Sequence, residues 1–498
     1  MNIARLLWET ASAVPDRIAV RHGELAWRYD AFAARAAAVA DALHAAGVAR
    51  GDRVGILLPH GPDAAAAFYG ASAAGAIVTV LNWLYRPRQV EHVLAHADVH
   101  VLLTARDWVA QQARSLEAGA RLLFIEDVAA EGRATPVDAA GGDPAQINYT
   151  SGSTGGPKGV VMSHDNLLAG IRTVVDYLGI TREDRIASLL PFSFVYGFNQ
   201  LNCAVATGAR LDVIGTALAP DVVRDLQRHE STVLAAVPPL WMQLLGVAEF
   251  ATPIPSLRVV TCAGGRLSPE GVRALRTAQP QARLFLMYGL TEVFRSTFLP
   301  PEEVDAHPDS MGRAVPGSRV YVLRDDGTVC DDGEVGELVH AGPTVALGYW
   351  NDPDATARTF RPNPTADAAV PALARAVYSG DLVRRDADGR LYYVGRRDRM
   401  IKTLGFRVSP DEIADVIYAS KQVTEAVVTS EPDAVRGERI VAHVVLAPGG
   451  ALDALRRWCG VELPRHMQPA RWDVRDAIPR NASGKHDVLA LKAKPPAP

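Results

Sequence analysis

Tyr149-Thr-Ser-Gly-Ser-Thr-Gly-Gly-Pro-Lys-Gly159, continued by Val160-Val-Met-Ser-His164, is the stretch from which the rest of the sequence is best read. It follows a short strand-like run, Ala145–Tyr149. A strand that opens into a loop of Gly, Ser and Thr lets backbone N–H groups and side-chain hydroxyls converge on phosphate oxygens. Lys158 adds positive charge at the end of the loop. A flexible surface loop is the commonest meaning of such composition, but it does not account for eleven residues in this order. The other common phosphate loop is excluded. Lys158 is followed by Gly159 and Lys485 by His486, so the chain has no Gly-Lys-Ser/Thr run of a P-loop kinase or ATPase.

On the N-terminal side, helical and strand patterns alternate. Tyr29–Ala46 is an Ala-rich helical stretch with Gly47 placed to end it. Gly51-Asp52 turns into the strand Val54–Leu58, residues 84–96 read as helix, and His100–Leu103 and Leu122–Ile125 read as strands. Beyond the loop the alternation returns over 221–260, with a helix from Asp221, the strand Val233–Val237, a helix near Trp241 and the strand Arg258–Cys262. Repeated βα units predict a largely parallel sheet covered by helices. Past about residue 310 short strands such as Arg319–Leu323 and Gly336–His340 are joined by Asp326-Gly327 and Asp332-Gly333 turns, which predicts a β-rich subdomain. Pro362–Pro371 reads as a loop. The expected fold class is α/β and α+β multidomain. A domain over 1–397, with parallel βα subdomains and the β-rich part at about 310–397, precedes a small α+β domain over 398–498.

Composition narrows the function. A chain of 498 residues allows two to four domains at roughly 100–200 residues each. A net charge of -4 gives no basic field for nucleic acid or anionic lipid. Cys203, Cys262, Cys330 and Cys459 are far apart and read as ordinary thiols of a reducing compartment. Ala64–Tyr85 runs 22 residues without a charge, long enough to span a bilayer. Gly70, Gly75 and Asn82 interrupt it, and a buried helix followed by the strand Ala76–Leu81 fits better. The expectation is a cytoplasmic protein without stable membrane insertion, since Met1–Thr10 lacks the pattern of a signal peptide.

Five further motifs follow the first in order: Tyr288-Gly-Leu-Thr-Glu292, Tyr378-Ser-Gly-Asp381, Gly395-Arg-Arg-Asp398, Ile401-Lys-Thr-Leu-Gly-Phe-Arg407 and Pro479-Arg-Asn-Ala-Ser-Gly-Lys485. The whole chain thereby resembles the adenylate-forming, AMP-binding superfamily, which includes acyl- and aryl-CoA ligases, nonribosomal-peptide adenylation domains and firefly luciferase. It is most similar to stand-alone bacterial acyl-CoA or acyl-carrier-protein ligases. The resemblance implies ATP and Mg²⁺ as cofactors, a small carboxylic acid as substrate, and CoA or a phosphopantetheine carrier protein as acceptor.

It also implies residue roles. Thr150, Ser151, Gly152, Ser153, Thr154 and Lys158 would hold phosphates; Gly264, Gly265, Tyr288 and Gly289 would also bind the cofactor, with Tyr288 giving an aromatic face to adenine and the Ala263-Gly264-Gly265 turn lining the acyl pocket as well. Thr291 and Glu292 would act catalytically by holding Mg²⁺, a hard cation that wants oxygen ligands. Asp381 would accept from the ribose hydroxyls, with Tyr393, Arg396 and Arg407 nearby. Lys485 would be the principal catalytic residue, because a carboxylate attacking an α-phosphate brings two anions together. His486 departs from the aliphatic residue more usual there. Asp398 matches the hinge of a mobile C-terminal domain, and Gly405 the pantetheine tunnel.

By the same resemblance the acyl pocket is drawn from Phe194, Val195, Asn199, Trp241, Ala263, Met287 and Arg295. Amino-acid-activating relatives carry an Asp at the position of Val195, so an acid without an α-amino group is expected. Many aryl- and acyl-CoA ligases carry a His where Phe194 stands. Arg295 has two readings: it meets a second carboxylate or other polar substituent, or it points outward or pairs with a local acid such as Glu302 or Glu303. Three function classes follow. The first is an acid–thiol ligase acting on CoA or a carrier protein, with an amino-acid:carrier-protein ligase of a specialised-metabolite pathway as an alternative to it. The second is an adenylating enzyme with a non-thiol nucleophile. The third is a non-catalytic relative, which should have lost Lys485, Glu292 or Asp381; all three are present.

Overall fold

The Ala-rich run beginning at Tyr29 forms the helix Tyr29–Ala45, and Gly47 at φ +88° turns the chain away from its end. The long uncharged stretch divides as expected into the helix Pro62–Ala73 and the strand Ile77–Val80. Gly70 lets that helix pack closely, since a Cβ there would lie 2.5 Å from the Ala36 carbonyl oxygen. A computed structural model describes residues 1–111, 119–150, 158–216, 218–365, 375–396, 401–408, 410–479 and 491, the side chains at 395, 396, 407 and 411 excepted. Among the described residues no helix is long and apolar enough to cross a membrane. The four cysteines are free and buried.

The chain divides into two compact units. The larger comprises Met1–Trp83, Val93–Tyr149 and Gly159–Gly395. The smaller comprises Leu84–His92, Thr150–Lys158 and Arg396–Pro498. In the larger unit, the strands Arg53–Leu57, Ile77–Val80, Val99–Thr104, Arg121–Phe124 and Pro144–Thr150 pair in parallel. A second sheet runs in parallel through Arg185–Ser188, Arg210–Val213, Val233–Ala236, Val259–Cys262 and Arg283–Tyr288. Strands buried on both faces read as short continuous apolar runs, which is why Val233–Ala236 and Val259–Cys262 lack alternation.

At Arg283–Tyr288 the character of this sheet changes. The next strands, Thr297–Leu299 and Ser310–Ala314, are antiparallel. They lead into the β-rich part, where Arg319–Leu323, Val335–Ala341 and Arg375–Arg385 form an antiparallel ladder. Gly327 and Gly333, both at φ +85°, occupy the turns expected of them. The smaller unit is α+β: Val423–Asp433 and Gly437–Leu446 form its central hairpin, with the helices Pro410–Ala419 and Leu452–Glu462. Ile413, Ile417, Ile440, Val444 and Leu455 belong to its own apolar core.

Candidate active site

The predicted phosphate loop begins where the strand Pro144–Thr150 ends, and Thr150 is half-buried there. Ser151, Gly152, Ser153 and Thr154 lie outside the described residues. The chain resumes as the strand Lys158–Ser163, which runs into the helix His164–Leu178. Ser163 caps that helix: its hydroxyl accepts from Asn166 N at 3.1 Å, and the Asn166 side chain accepts from Ser163 N at 3.1 Å. Lys485 and Asp398 also lie outside the described residues, as do the side chains of Arg396 and Arg407. Backbone at Arg396 ends the strand Leu391–Arg396, and Arg407 sits in Phe406–Val408. Gly405, at φ +80°, turns the chain between Ile401–Thr403 and that strand.

Three predicted nucleotide residues meet at the C-terminal end of Arg283–Tyr288. The Tyr288 hydroxyl donates to Asp381 Oδ2. Asp381 is 1% exposed, and an irregular pairing of strands puts it there. Glu337 pairs with Leu382 and Val339 with Tyr378, so Ser379, Gly380 and Asp381 bulge opposite Leu338 alone. Gly380 takes φ +70° in the bulge, and its N–H donates to Glu337 Oε1 at 2.9 Å. The Ser379 hydroxyl accepts from Asp381 N at 3.0 Å. Tyr393 and Tyr288 pack on the same small cluster of Met311, Leu338 and Leu391.

Thr291 and Glu292 form a short 3-10 turn after Gly289. The Tyr349 hydroxyl donates to Glu292 Oε1 at 2.7 Å, and Ala346 N donates to the Glu292 carbonyl at 2.9 Å. Tyr349 is held in turn by antiparallel pairing of Gly348–Tyr349 with Val160 and Val161. It was missed in the sequence, although it stands in the conspicuous run Gly348-Tyr-Trp-Asn-Asp-Pro353. Gly264 and Gly265 follow the strand Val259–Cys262, with Gly264 at φ +79° and both exposed; Ala263 is buried.

The acyl-pocket residues separate into groups. Asn199, Met287 and Arg295 line one cavity, together with Tyr196, Gln200 and Cys203. Tyr196, Asn199, Gln200 and Cys203 fall at the i, i+3, i+4, i+7 spacing of one face of the helix Val195–Thr207. Ile186, Val233, Ala235 and Thr261 contribute from the parallel strands. Burial pushes the Tyr177 hydroxyl up to about 12 and the Cys203 thiol up to about 12, and raises the Tyr196 hydroxyl as well. Phe194 and Val195, half-buried at the start of the helix, are not among the lining residues. Trp241 is not one either: it is fully buried among Phe250 and Leu244, and its indole N–H donates to the Thr261 carbonyl at 3.2 Å. Of the two readings of Arg295, the outward one fails. The residue is 3% exposed, Glu302 lies 3.9 Å from Arg283, and Glu303 pairs with Arg313 and Arg390.

The fold and this junction of motifs define an adenylate-forming enzyme. The chain belongs to the AMP-binding enzyme family: residues 7–350 match the AMP-binding enzyme model, and residues 412–485 match the AMP-binding enzyme C-terminal domain. It is 30% identical over 499 residues to the L-proline--[L-prolyl-carrier protein] ligase of Pseudomonas fluorescens, covering 96% of each chain. It is 28% identical over 501 residues to tyrocidine synthase 3 of Brevibacillus parabrevis, where it matches 98% of itself but spans only 8% of that protein. In structure it is similar to a double mutant of the o-succinylbenzoate CoA synthetase of Bacillus subtilis bound to its product analogue. The TM-score there is 0.88 at 26% identity, over 98% of both chains.

Proposed function

We propose that the chain is an acid–thiol ligase: it activates a carboxylic acid with ATP to an acyl-AMP, releasing pyrophosphate, and transfers the acyl group to the thiol of CoA or of a carrier protein. The observation that carries this reading is the meeting of Tyr288 with Asp381, beside the Glu292 turn, at the end of Arg283–Tyr288. Ligands of open α/β sheets bind beyond the carboxyl ends of their strands.

In this reading Tyr288 offers its ring to adenine and Asp381 accepts from ribose hydroxyls. Thr150, Lys158 and the loop between them hold the phosphates, with Arg396, Arg407 and Tyr393 alongside. The acid's carboxylate attacks the α-phosphorus, a P–O bond forms, and pyrophosphate leaves with the broken bond's electron pair. Charge then gathers on the non-bridging oxygens, which is what Lys485 counters. In the second step the thiol sulfur attacks the acyl carbon and AMP departs. The C-terminal domain, taken to begin near the hinge Asp398, presents Lys485 for the first step and the Gly405 segment for the second.

Thr291 and Glu292 suit a magnesium ion. Mg²⁺ takes one or two carboxylates and fills its shell with water and phosphate rather than a protein cage. Among the described residues no cluster of three His, Cys, Asp or Glu forms such a cage. Tyr349 fixes Glu292 through Oε1, which orients the carboxylate. When bound, the ion would neutralise developing phosphate charge.

The deciding experiment is acid-dependent pyrophosphate release over a broad panel of carboxylic acids, then mass spectrometry of the products with CoA and with a carrier protein. Release with a thioester product is expected; an acid-dependent release whose product is never a thioester would leave only the first half standing.

A further inference from the structure

The cavity behind Met287 is lined by two polar side chains that carry buried atoms without a hydrogen-bond partner among the described residues. Arg295 is 3% exposed, and its Nε and Nη2 are buried without a hydrogen-bond partner among the described residues. Gln200 is 6% exposed, and both its Nε2 and Oε1 are in the same condition. Both residues line the cavity. The neighbouring amide Asn202 shows what a structural role looks like: it accepts from the Tyr69 hydroxyl at 2.8 Å and donates to the Phe198 carbonyl at 2.8 Å.

A guanidinium stays charged, so its burial without a counter-ion is strongly disfavoured. Among the described residues that line the cavity, none is an acid. Its carbon sits 5.0 Å from the Tyr196 ring, a cation–π contact that offsets only part of the loss. Burial keeps the Tyr177 and Tyr196 hydroxyls and the Cys203 thiol protonated. Glu292, the nearest acid in sequence, accepts from the Tyr349 hydroxyl, and Glu302 and Glu303 are engaged with Arg283 and Arg313.

The backbone is bent to bring the side chain inward. Phe294 has φ +60° and ψ -59°, and Arg295 N donates to the Val293 carbonyl at 2.5 Å, closing a γ-turn of the strained hand. Room for the turn comes from Gly170, where a Cβ would lie 2.3 Å from Phe294 Cδ1. Strain of this kind persists where surrounding structure enforces it and is concentrated at ligand sites.

We infer that Arg295 and Gln200 bind an anionic group at the far end of the acid, so that the substrates are short acids bearing a second carboxylate or a sulfonate. A guanidinium fork matches such a planar or tripodal oxyanion through paired N–H donors, and the Gln200 amide adds one more. The free cavity, about 30 Å³, has the scale of one or two waters, so a group seated there is compact. The inference rests on the adenylation reading above and refines its substrate.

Its test is pyrophosphate exchange with short monocarboxylic acids and with the α,ω-dicarboxylic and ω-sulfonated acids of matching length. Wild type should favour the doubly anionic acids at least tenfold in kcat/KM. Arg295→Gln should lose that preference through KM for the acid, with KM for ATP unchanged. Arg295→Met, closer in volume and apolar, should lose it too, and far-UV circular dichroism with thermal melting checks that both variants fold. Should Arg295→Gln misfold, Gln200→Leu should still lower the preference. Equal or better exchange with the uncharged acids, or equal loss on both classes in Arg295→Gln, overturns the inference and leaves adenylation intact. No exchange with any acid of a broad panel overturns the adenylation reading and the inference with it.

Discussion

Two corners of the larger unit, both built from the strand Arg283–Tyr288, are finished to different degrees. At the corner proposed for the nucleotide, several polar groups find partners within the chain: Tyr288 donates to Asp381, Ser379 to Leu338, Gly380 to Glu337, and Tyr349 to Glu292. Around Met287, one residue earlier, Arg295 and Gln200 are buried with unsatisfied atoms. Hydrogen bonds of this kind orient the side chains that make them before any ligand arrives. Buried groups left incomplete call for a partner or a structural reason, and the anionic group inferred above gives Arg295 and Gln200 a partner. The first arrangement suits a ligand common to a whole family, the second a ligand particular to this protein.

The comparison can be broken most severely through Lys485. Lys485→Ala should lower acid-dependent pyrophosphate release by about 10²-fold or more, the scale of one oriented charge in a transition state. Conversion of supplied acyl-adenylate to thioester should continue. Equal loss in both half-reactions, followed by single-turnover assays, would remove the role given to this lysine.

Next in size is the paired corner. Asp381→Asn weakens an acceptor whose hydrogen bonds to charged groups are worth roughly 1.5–3 kcal/mol each, so kcat/KM for ATP should fall about 10- to 100-fold. KM for the acid should stay near its wild-type value. A change confined to the acid would mean that the two corners have been assigned the wrong way round.

A smaller effect is expected at Gly170. Its Cβ in Gly170→Ala would collide with the Phe294 ring, costing about 1–3 kcal/mol of stability. Chemical denaturation measures the loss, and if the γ-turn relaxes, KM for the acid should rise more than KM for ATP. Unchanged stability would show that Phe294 has room to move.

The mildest test uses pH. His340 is buried, with Nδ1 3.0 Å from the Ser296 hydroxyl just after Arg295, and burial pushes its pKa down to about 3. The folded form keeps it neutral while the unfolded chain protonates near 6.5. Stability contributed by this site is therefore full above about pH 6.5 and declines as pH falls toward 3, because the unfolded state binds the extra proton. His340→Gln should flatten that part of the melting-temperature profile. An unaltered acid limb would assign it to other groups, such as His60 and His164, which burial lowers to about 4.

Much of this was legible in the chain itself. Gly47, Gly327 and Gly333 marked turns because only glycine takes positive φ without cost, and each has it here. The alternation of apolar runs gave the parallel sheets, and the ordered motifs pointed to Tyr288, Asp381 and Glu292. Local sequence spells such features because backbone geometry and short-range hydrogen bonding decide them. Other assignments needed three dimensions. Trp241 was expected in the pocket and is a core residue, since an indole serves either place and only its surroundings choose. Gln200 was overlooked, although an amide run Asn199-Gln200 inside an apolar helix was a signal. Arg295 was left between two readings because a charge in sequence carries no record of its counter-ion. Whether a buried cation is neutralised depends on residues distant in the chain, and that is settled only when helix, strand and γ-turn close around it.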